Sequence, residues 1–158
     1  MKTKLKSPKK RSYIYEAPVA FVVVFYALIA AWSGVSVYLI GTKALVANWP
    51  LGQLAMVGFV IAYTWYWCLG ISYRIEVSED GGIELRSFRR VLRLDPGDVT
   101  VVEGPRLSFI PTVFVRFRLA REKAYLFCVI TSGDLSEVLR LMHRNNRDLS
   151  FKGLAGAF

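Results

Sequence analysis

The side chains that most often carry catalysis are few in this sequence and widely separated. His143 is the only histidine, and a lone histidine late on a predicted helix is usually a surface or packing residue. Cys68 and Cys128 lack the spacing of a metal or redox pair, so we interpret both as small buried hydrophobic residues. No nucleophile–base pairing and no glycine-rich phosphate loop is present. We therefore expect no catalytic residue, no metal site and no cofactor, in a protein that is not an enzyme.

The chemistry that remains is the recognition of negative charge, since the chain carries a formal net charge of +9. Four arginines that follow an apolar segment are candidates for contact with anionic lipid headgroups: Arg86, Arg89, Arg90 and Arg93. A basic residue close to a membrane attracts anionic headgroups by ~1 kcal/mol. The alternative is a solvated face of a β-hairpin. No nucleic-acid motif accompanies the charge, so we expect no nucleic-acid partner.

A second basic set includes an aromatic residue and is a candidate protein interface. Phe114, Arg116 and Arg118 alternate on one face of a predicted strand, and Arg121 and Lys123 follow in the next turn. Arginine and aromatic residues are enriched at protein interfaces. The alternative is a face that only keeps the domain soluble.

The apolar segment that precedes these sets runs from Ala17 to Tyr73 and contains one charged residue, Lys43. It divides into spans 17–40 and 51–73, around a polar turn at 41–43 and a second turn at 48–50. Each span exceeds the ~20 apolar residues that cross a bilayer. The sequence therefore predicts an integral membrane hairpin of two α-helices.

The flanks of the hairpin predict its orientation. Six basic residues precede the first span: Lys2, Lys4, Lys6, Lys9, Lys10 and Arg11. The connecting loop carries only Lys43, so the positive-inside rule places both termini in the cytoplasm, in a multi-pass protein of the inner (cytoplasmic) membrane. Tyr13, Tyr15, Trp49 and Tyr73 are predicted interfacial anchors. Residues 1–16 form a basic cytoplasmic tail, which we expect to be flexible from Lys2 to Ser12.

Small residues in the spans are candidates for helix packing. They recur at four-residue spacing: Ala27, Ala30, Ala31, Gly34, Gly58 and Ala62. Such spacing lets helix backbones approach closely, either between the two spans or with another subunit. Neither span contains an ionisable Asp, Glu, Lys, Arg or His, which argues against a transporter or channel.

From residue 74 to 158 the pattern predicts one cytoplasmic α+β domain. Alternation and turn residues predict strands over 73–77, 83–86, 91–94, 99–103, 112–119 and 124–130. A closing amphipathic helix follows over 134–146, with Asp134 as its N-cap. Two sets of apolar side chains are predicted to face each other in the core: Val113, Val115, Phe117 and Leu119 on a strand, and Leu135, Val138, Leu139 and Met142 on the helix. The expected fold is a small antiparallel barrel or sandwich closed by this helix.

This order of elements resembles the bacterial pleckstrin-homology-like domain found directly after membrane helices. The residues that carry the resemblance are Tyr73-Arg74-Ile75, Ser87-Phe88-Arg89-Arg90-Val91, Asp98-Val99 and the predicted helix from Asp134 to Asn146. The family has seven strands, and a seventh strand is predicted near Leu107 to Ile110. The resemblance implies a domain that binds rather than catalyses.

The spans carry a second, local resemblance to the two-span photosystem I assembly proteins of chloroplasts and cyanobacteria. It lies in Gly34-Val35-Ser36-Val37-Tyr38-Leu39, in Tyr66-Trp67-Cys68 and in Arg89-Arg90. This resemblance implies a role around a photosynthetic or other multisubunit membrane complex. The leading hypothesis is a noncatalytic accessory or assembly subunit. The alternative is a module that senses anionic lipids at the cytoplasmic face of the membrane.

Overall fold

The computed structural model describes residues 12–47, 51–104, 112–119, 122–129 and 132–154. Within these ranges, three α-helices accompany eight strands in one mixed sheet. In chain order the elements are β1 (Ser12–Glu16), α1 (Val19–Ala47), α2 (Leu51–Cys68), β2 (Ser72–Ser78), β3 (Ile83–Ser87), β4 (Val91–Leu94), β5 (Val99–Glu103), β6 (Thr112–Leu119), β7 (Lys123–Val129), α3 (Gly133–Asn145) and β8 (Ser150–Lys152). A short 3-10 turn, Pro96–Asp98, leads into β5.

The two long helices are apolar around their whole circumference and stand largely clear of the sheet. Both are long and apolar enough to cross a bilayer, and only 6% and 0% of their most apolar windows are buried by the rest of the chain. At ~1.5 Å per residue, α1 is about 43 Å long and α2 about 27 Å. The core helix of a soluble protein would instead be covered by its neighbours.

The bounds of both helices differ from the predicted spans. The predicted polar turn at 41–43 is wrong, because α1 continues to Ala47. Thr42 is accommodated there since its hydroxyl donates to the carbonyls of Tyr38 and Leu39 (3.1 and 3.0 Å). The second span ends at Cys68 rather than at residue 73, because the chain turns through Gly70 into β2. The turn predicted at 48–50, and Trp49 with it, lies outside the described residues.

The sheet has the strand order β4-β3-β2-β7-β6-β5-β8, and β1 pairs with β2. The six predicted strands are confirmed as β2 to β7, and each bound lies within one residue of the predicted one. The sheet differs from the predicted antiparallel barrel in that it is mixed and not closed. The pairs β2–β7 and β5–β8 are parallel, and β8 reaches β5 after the helix α3. The strand predicted near 107–110 lies outside the described residues.

Residues 12–16, directly before the first span, are part of the sheet. β1 pairs antiparallel with β2 in register from Ser12↔Ser78 to Glu16↔Arg74, and the Ala17 N–H donates to the Tyr73 carbonyl over 2.8 Å. The predicted boundary at residue 16, between the basic tail and the first span, therefore does not separate residues 12–16 from the sheet domain. Tyr15 is only 2% exposed and lies in the core, so the prediction that it anchors the chain at the membrane interface is wrong.

One core lies between the inner face of the sheet and α3. Val115, Phe117 and Leu119 are buried in it, together with the helix residues Leu135, Val138, Leu139 and Met142. The predicted contact between strand and helix is thereby confirmed for these residues, while the side chain of Val113 lies outside the described part.

The N-terminus of the helix α3 lies two residues earlier than predicted. Ser132, not Asp134, is the N-cap residue, and Asp134 lies in the first turn. At the other end the Asn146 N–H donates to the Met142 carbonyl. The side-chain amide of Asn146 also donates to the Pro96 carbonyl over 2.7 Å. This bond fastens the end of α3 to the turn that precedes β5.

Candidate functional site at the hairpin–sheet junction

The first two turns of α1 lie against the outer face of the sheet. Phe21 and Phe25 make edge contacts with Phe127 on β7, with ring centroids 5.6 and 5.1 Å apart, and Phe25 also contacts Phe114 on β6 (5.7 Å). Phe127 has no exposed surface. The Tyr26 hydroxyl then donates to the Cys68 carbonyl over 2.6 Å. This bond places Tyr26 at the same height as the C-terminal end of α2. The part of α1 that follows Tyr26 is therefore similar in length to α2.

The turn between β3 and β4 packs against the N-terminal part of α1 and the C-terminal end of α2. The Ser87 hydroxyl closes this turn by donating to the Arg90 carbonyl (2.9 Å) and accepting from the Arg90 N–H (3.1 Å). At the tip, the Phe88 ring contacts Tyr26 (5.2 Å) and Tyr73 (4.9 Å). The hairpin and the sheet are thus joined by the strand β1, by the base of α1 and by this turn.

The same turn places two arginines beside the last turn of α2. The Arg89 N–H donates to the Leu69 carbonyl over 3.1 Å, and its guanidinium carbon lies 3.9 Å from the centre of the Tyr66 ring. A side chain at Gly70 would meet Nη2 of Arg89 at 3.2 Å, so glycine leaves room for the guanidinium. Arg90 pairs with Glu122 over 2.8 Å.

These arginines are only partly neutralised by the described residues. Nε and Nη1 of Arg89, and Nε of Arg90, are buried and form no hydrogen bond within the described part of the chain. No described carboxylate lies within ion-pair distance of Arg89. A buried charged group without a partner is costly, so the site favours the approach of an anion.

Two open cavities meet at this point, and we call them together the junction cleft. The basic compartment, about 510 Å³, is lined by Tyr66, Trp67, Arg89, Arg90, Glu122, Lys123 and Tyr125. The apolar compartment, about 430 Å³, is lined by Trp67, Cys68, Ile71, Phe114 and Tyr125. Trp67 and Tyr125 belong to both, so a positively charged region lies directly beside an apolar one.

No known protein family, no curated protein and no solved structure matches this chain. The resemblances to pleckstrin-homology-like domains and to photosystem I assembly proteins therefore stay predictions. The binding properties of the junction cleft are therefore inferred from its own geometry. Among the described residues, no group of three or more His, Cys, Asp or Glu side chains could hold a metal ion, and the cleft offers charge and apolar surface for binding.

The four arginines predicted to meet lipid divide into two pairs. Arg86 and Arg93 both bind the carboxylate of Glu84, over 2.9 and 3.2 Å. The hydrogen bond from Arg86, followed by that from Arg93, holds the pKa of Glu84 below its usual range although its partial burial acts in the opposite direction. Both arginines line a separate cavity of about 490 Å³, with Glu76 and Asp95 also in its wall. Only Arg89 and Arg90 lie in the junction cleft.

The predicted partner interface is also divided. Arg116 and Arg118 both pair with Glu103 on β5, the latter over 2.8 Å. Phe114 is half-buried against the base of α1, so it does not form an exposed patch with them. Lys123 is exposed and lines the junction cleft. Arg121 lies outside the described residues.

The contact between α1 and α2 is made by aromatic and polar side chains. Trp65 donates from its indole nitrogen to the Ser33 hydroxyl over 3.0 Å, and its ring stacks with Tyr26 at 6.3 Å. Added Cβ atoms at Gly34 and Gly58 would meet nothing within 4 Å. The other small residues predicted to pack, Ala27, Ala30, Ala31 and Ala62, are exposed as well.

The remaining side chains singled out for chemistry lie apart from one another. His143 is exposed on α3, with its ring 5.6 Å from that of Phe151. Cys128 is fully buried in the core, as predicted, whereas Cys68 is half-buried at the wall of the apolar compartment. Sequence reasoning missed Glu122 and Tyr125 as members of the cleft. The apolar residues on both faces of β7 were the available signal, since they predict a strand that is covered on both sides.

Proposed function

We propose that this protein is a noncatalytic, membrane-anchored interaction protein, an accessory or assembly subunit of a multisubunit membrane complex. The observation that carries this proposal is the interlocking of hairpin and sheet through β1, in which the Ala17 N–H donates to the Tyr73 carbonyl over 2.8 Å. A binding domain held in this way is presented at a fixed height and angle relative to the helices. That arrangement suits a protein that works by contact.

The membrane topology in this proposal has two supports. Both ends of the hairpin return to one sheet, which favours an even number of membrane crossings. The basic residues before α1 favour the cytoplasmic side of the inner membrane for both termini. The resemblance of the sheet and α3 to a pleckstrin-homology-like domain adds support for binding, and a photosynthetic setting rests on the local resemblance of the spans.

A partner would be engaged at two levels. Within the bilayer, Gly34 and Gly58 leave open surface on the two helices where another helix could approach. Beside the bilayer, Arg118 is exposed on the outer face of β6. A partner subunit that uses both surfaces would gain affinity from two linked contacts.

The experiment that tests the proposal is purification from native membranes in mild detergent, followed by sizing of the complex. The wild-type chain should migrate with other subunits. Arg118→Gln or Gly34→Leu should release it, while the matched controls Arg147→Gln and Val35→Leu should not. Surface changes usually shift stability by only ~0.5 kcal/mol, so loss of the complex would reflect lost contact. A wild-type chain that runs alone, with no protein bound, would contradict the proposal.

A second candidate function, the sensing of anionic lipids, is favoured by Arg89 alone among the four arginines. Arg86 and Arg93 both pair with Glu84, and Arg90 pairs with Glu122, whereas Arg89 lies at the end of α2 with no described carboxylate beside it.

A further inference from the structure

We infer that the junction cleft is a binding site for an anionic phospholipid, with the phosphate in the basic compartment and an acyl chain in the apolar one. This inference rests on the second candidate function, the sensing of anionic lipids, and specifies its site and ligand; it does not depend on the accessory role proposed above. It rests on three properties of the cleft, namely its uncompensated charge, its place at the end of α2 and the contact between its two compartments.

The basic compartment carries excess positive charge, which favours the binding of an anion. Arg89, Arg90 and Lys123 face it, against the single carboxylate of Glu122. Glu122 is engaged by Arg90 at 2.8 Å, which leaves the charges of Arg89 and Lys123 uncompensated among the described residues. Arginine is well suited to a phosphate because its guanidinium can donate two parallel hydrogen bonds.

Arg89 is held in position before any ligand arrives. Its guanidinium lies over the Tyr66 ring at 3.9 Å, its backbone N–H is bonded to the Leu69 carbonyl, and Gly70 provides the space beside it. Cation–π contact of this kind stabilises an arginine at its site. Little side-chain entropy is then lost when a phosphate binds, which favours affinity.

The position of the cleft matches the level of lipid headgroups. Tyr66 and Trp67 lie in the last turn of α2, and tyrosine and tryptophan concentrate at the headgroup level of membranes. Arg89 and Lys123 lie just beyond that turn, on the side of the sheet. A phosphate held there would come from the surrounding leaflet and need not leave the bilayer interface.

The apolar compartment distinguishes a lipid from a soluble anion. Trp67 and Tyr125 form a wall common to both compartments, and Ile71 and Phe114 extend the apolar side. A free phosphate or a soluble polyanion has no group that would fill this space. An acyl chain would do so, and burial of its methylene groups adds to the binding free energy.

The test uses the full chain in a mild zwitterionic detergent, titrated with short-chain phosphatidylglycerol, with phosphatidylcholine of the same chain length, and with inorganic phosphate. A ligand that binds the folded state raises the melting temperature, by an amount that grows with the logarithm of its concentration relative to its Kd. Phosphatidylglycerol should raise it most, and phosphate should have little effect. Equal shifts for the two lipids would overturn the inference, and an equal shift for phosphate would assign the cleft to a soluble anion instead.

The matched variants are Arg89→Gln and Arg93→Gln, which remove the same charge inside and outside the cleft. Arg89→Gln should weaken phosphatidylglycerol binding about tenfold or more, the usual effect of losing a charged hydrogen bond, while Arg93→Gln should bind like the wild type. Lys123→Gln tests the same compartment at an exposed position, should Arg89→Gln fail to fold. Wild-type affinity in Lys123→Gln and in any folded Arg89→Gln protein would refute the site.

Discussion

The Tyr15 hydroxyl accepts a hydrogen bond from the backbone N–H of Val129 over 2.9 Å, across a sequence separation of 114 residues. Tyr15 belongs to the strand before the hairpin, and Val129 ends the last strand before α3. The bond therefore joins the strand before the two helices to a strand far beyond them, so the two helices are an insertion within the sheet domain. Because Tyr15 is 2% exposed, its ring also fills part of the core.

The first prediction concerns the alkaline stability of the protein. Burial raises the pKa of Tyr15 to about 12, although the hydrogen bond from Val129 acts in the opposite direction. The folded state therefore keeps this proton after the unfolded state has lost it, so stability is full below about pH 10 and falls as the pH rises toward 12. The loss attributable to Tyr15 should reach roughly 2–3 kcal/mol.

The matched control for this prediction is Tyr15→Phe. At neutral pH the variant should be less stable by about 1–3 kcal/mol, because the partly buried Val129 N–H loses its acceptor. Melting of both proteins in detergent, measured from pH 8 to pH 12, should show the difference between them shrinking above pH 10. A difference that does not change with pH would mean that Tyr15 is not buried as described.

The second prediction is that the hairpin can be removed without loss of the sheet. Since Glu16 is paired with Arg74 in antiparallel register and β2 pairs with β7 through Ser72, replacing residues 18–71 by a short glycine-rich linker should join β1 to β2 as a β-hairpin and keep both pairs. The fragment should also carry Phe114→Thr and Phe127→Thr, because the base of α1 covers these rings in the intact chain. We expect a soluble, folded domain by circular dichroism and size-exclusion chromatography.

The control for the hairpin-free fragment is a chain with the same two threonines that starts at Ser72, so that it keeps the whole of β2. It lacks β1, so the core space of Tyr15 is empty and one edge of β2 is unpaired. Its melting temperature should be well below that of the fragment with β1, or it should not fold. Equal melting temperatures would show that β1 is dispensable.

The third prediction tests the orientation of β6. Phe117 is fully buried between the sheet and α3, so Phe117→Ala in the hairpin-free fragment should cost about 3–5 kcal/mol of unfolding free energy. Lys123→Ala, at an exposed position of the neighbouring strand, should change it by no more than about 0.5 kcal/mol. Urea denaturation would measure both, and similar small losses would mean that the strand is turned over.

The elements that the sequence predicted well are those with a strong local pattern. β6 alternates strictly from Val115 to Leu119, so its buried face was predictable from Val115, Phe117 and Leu119. β1 was missed because Ser12 to Glu16 adjoins a basic segment and its partner strand lies beyond both helices. Pairing of that range is a tertiary effect that no local pattern indicates.

The candidate site was predictable only in part. Arg89 and Arg90 could be singled out by their place after the second span, but Arg86 and Arg93 share that place. Which arginines are ion-paired depends on Glu84 and Glu122, and the latter reaches Arg90 only through the folding of the sheet. The apolar compartment likewise depends on the docking of α1 against Phe114, which alternation along β6 does not reveal.

The pairing of β1 with β2 across the hairpin is the basis of this account, and a disulfide cross-link tests it most directly. In a chain with Cys68→Ala and Cys128→Ala, cysteines at positions 12 and 78 would lie directly opposite each other, at a separation that a disulfide can bridge. Oxidation of native membranes should join them nearly completely. The off-register pair Ser12→Cys with Glu76→Cys, a diagonal of about 7–8 Å, should form little disulfide. Equal cross-linking of the two pairs, or none in either, would contradict the account.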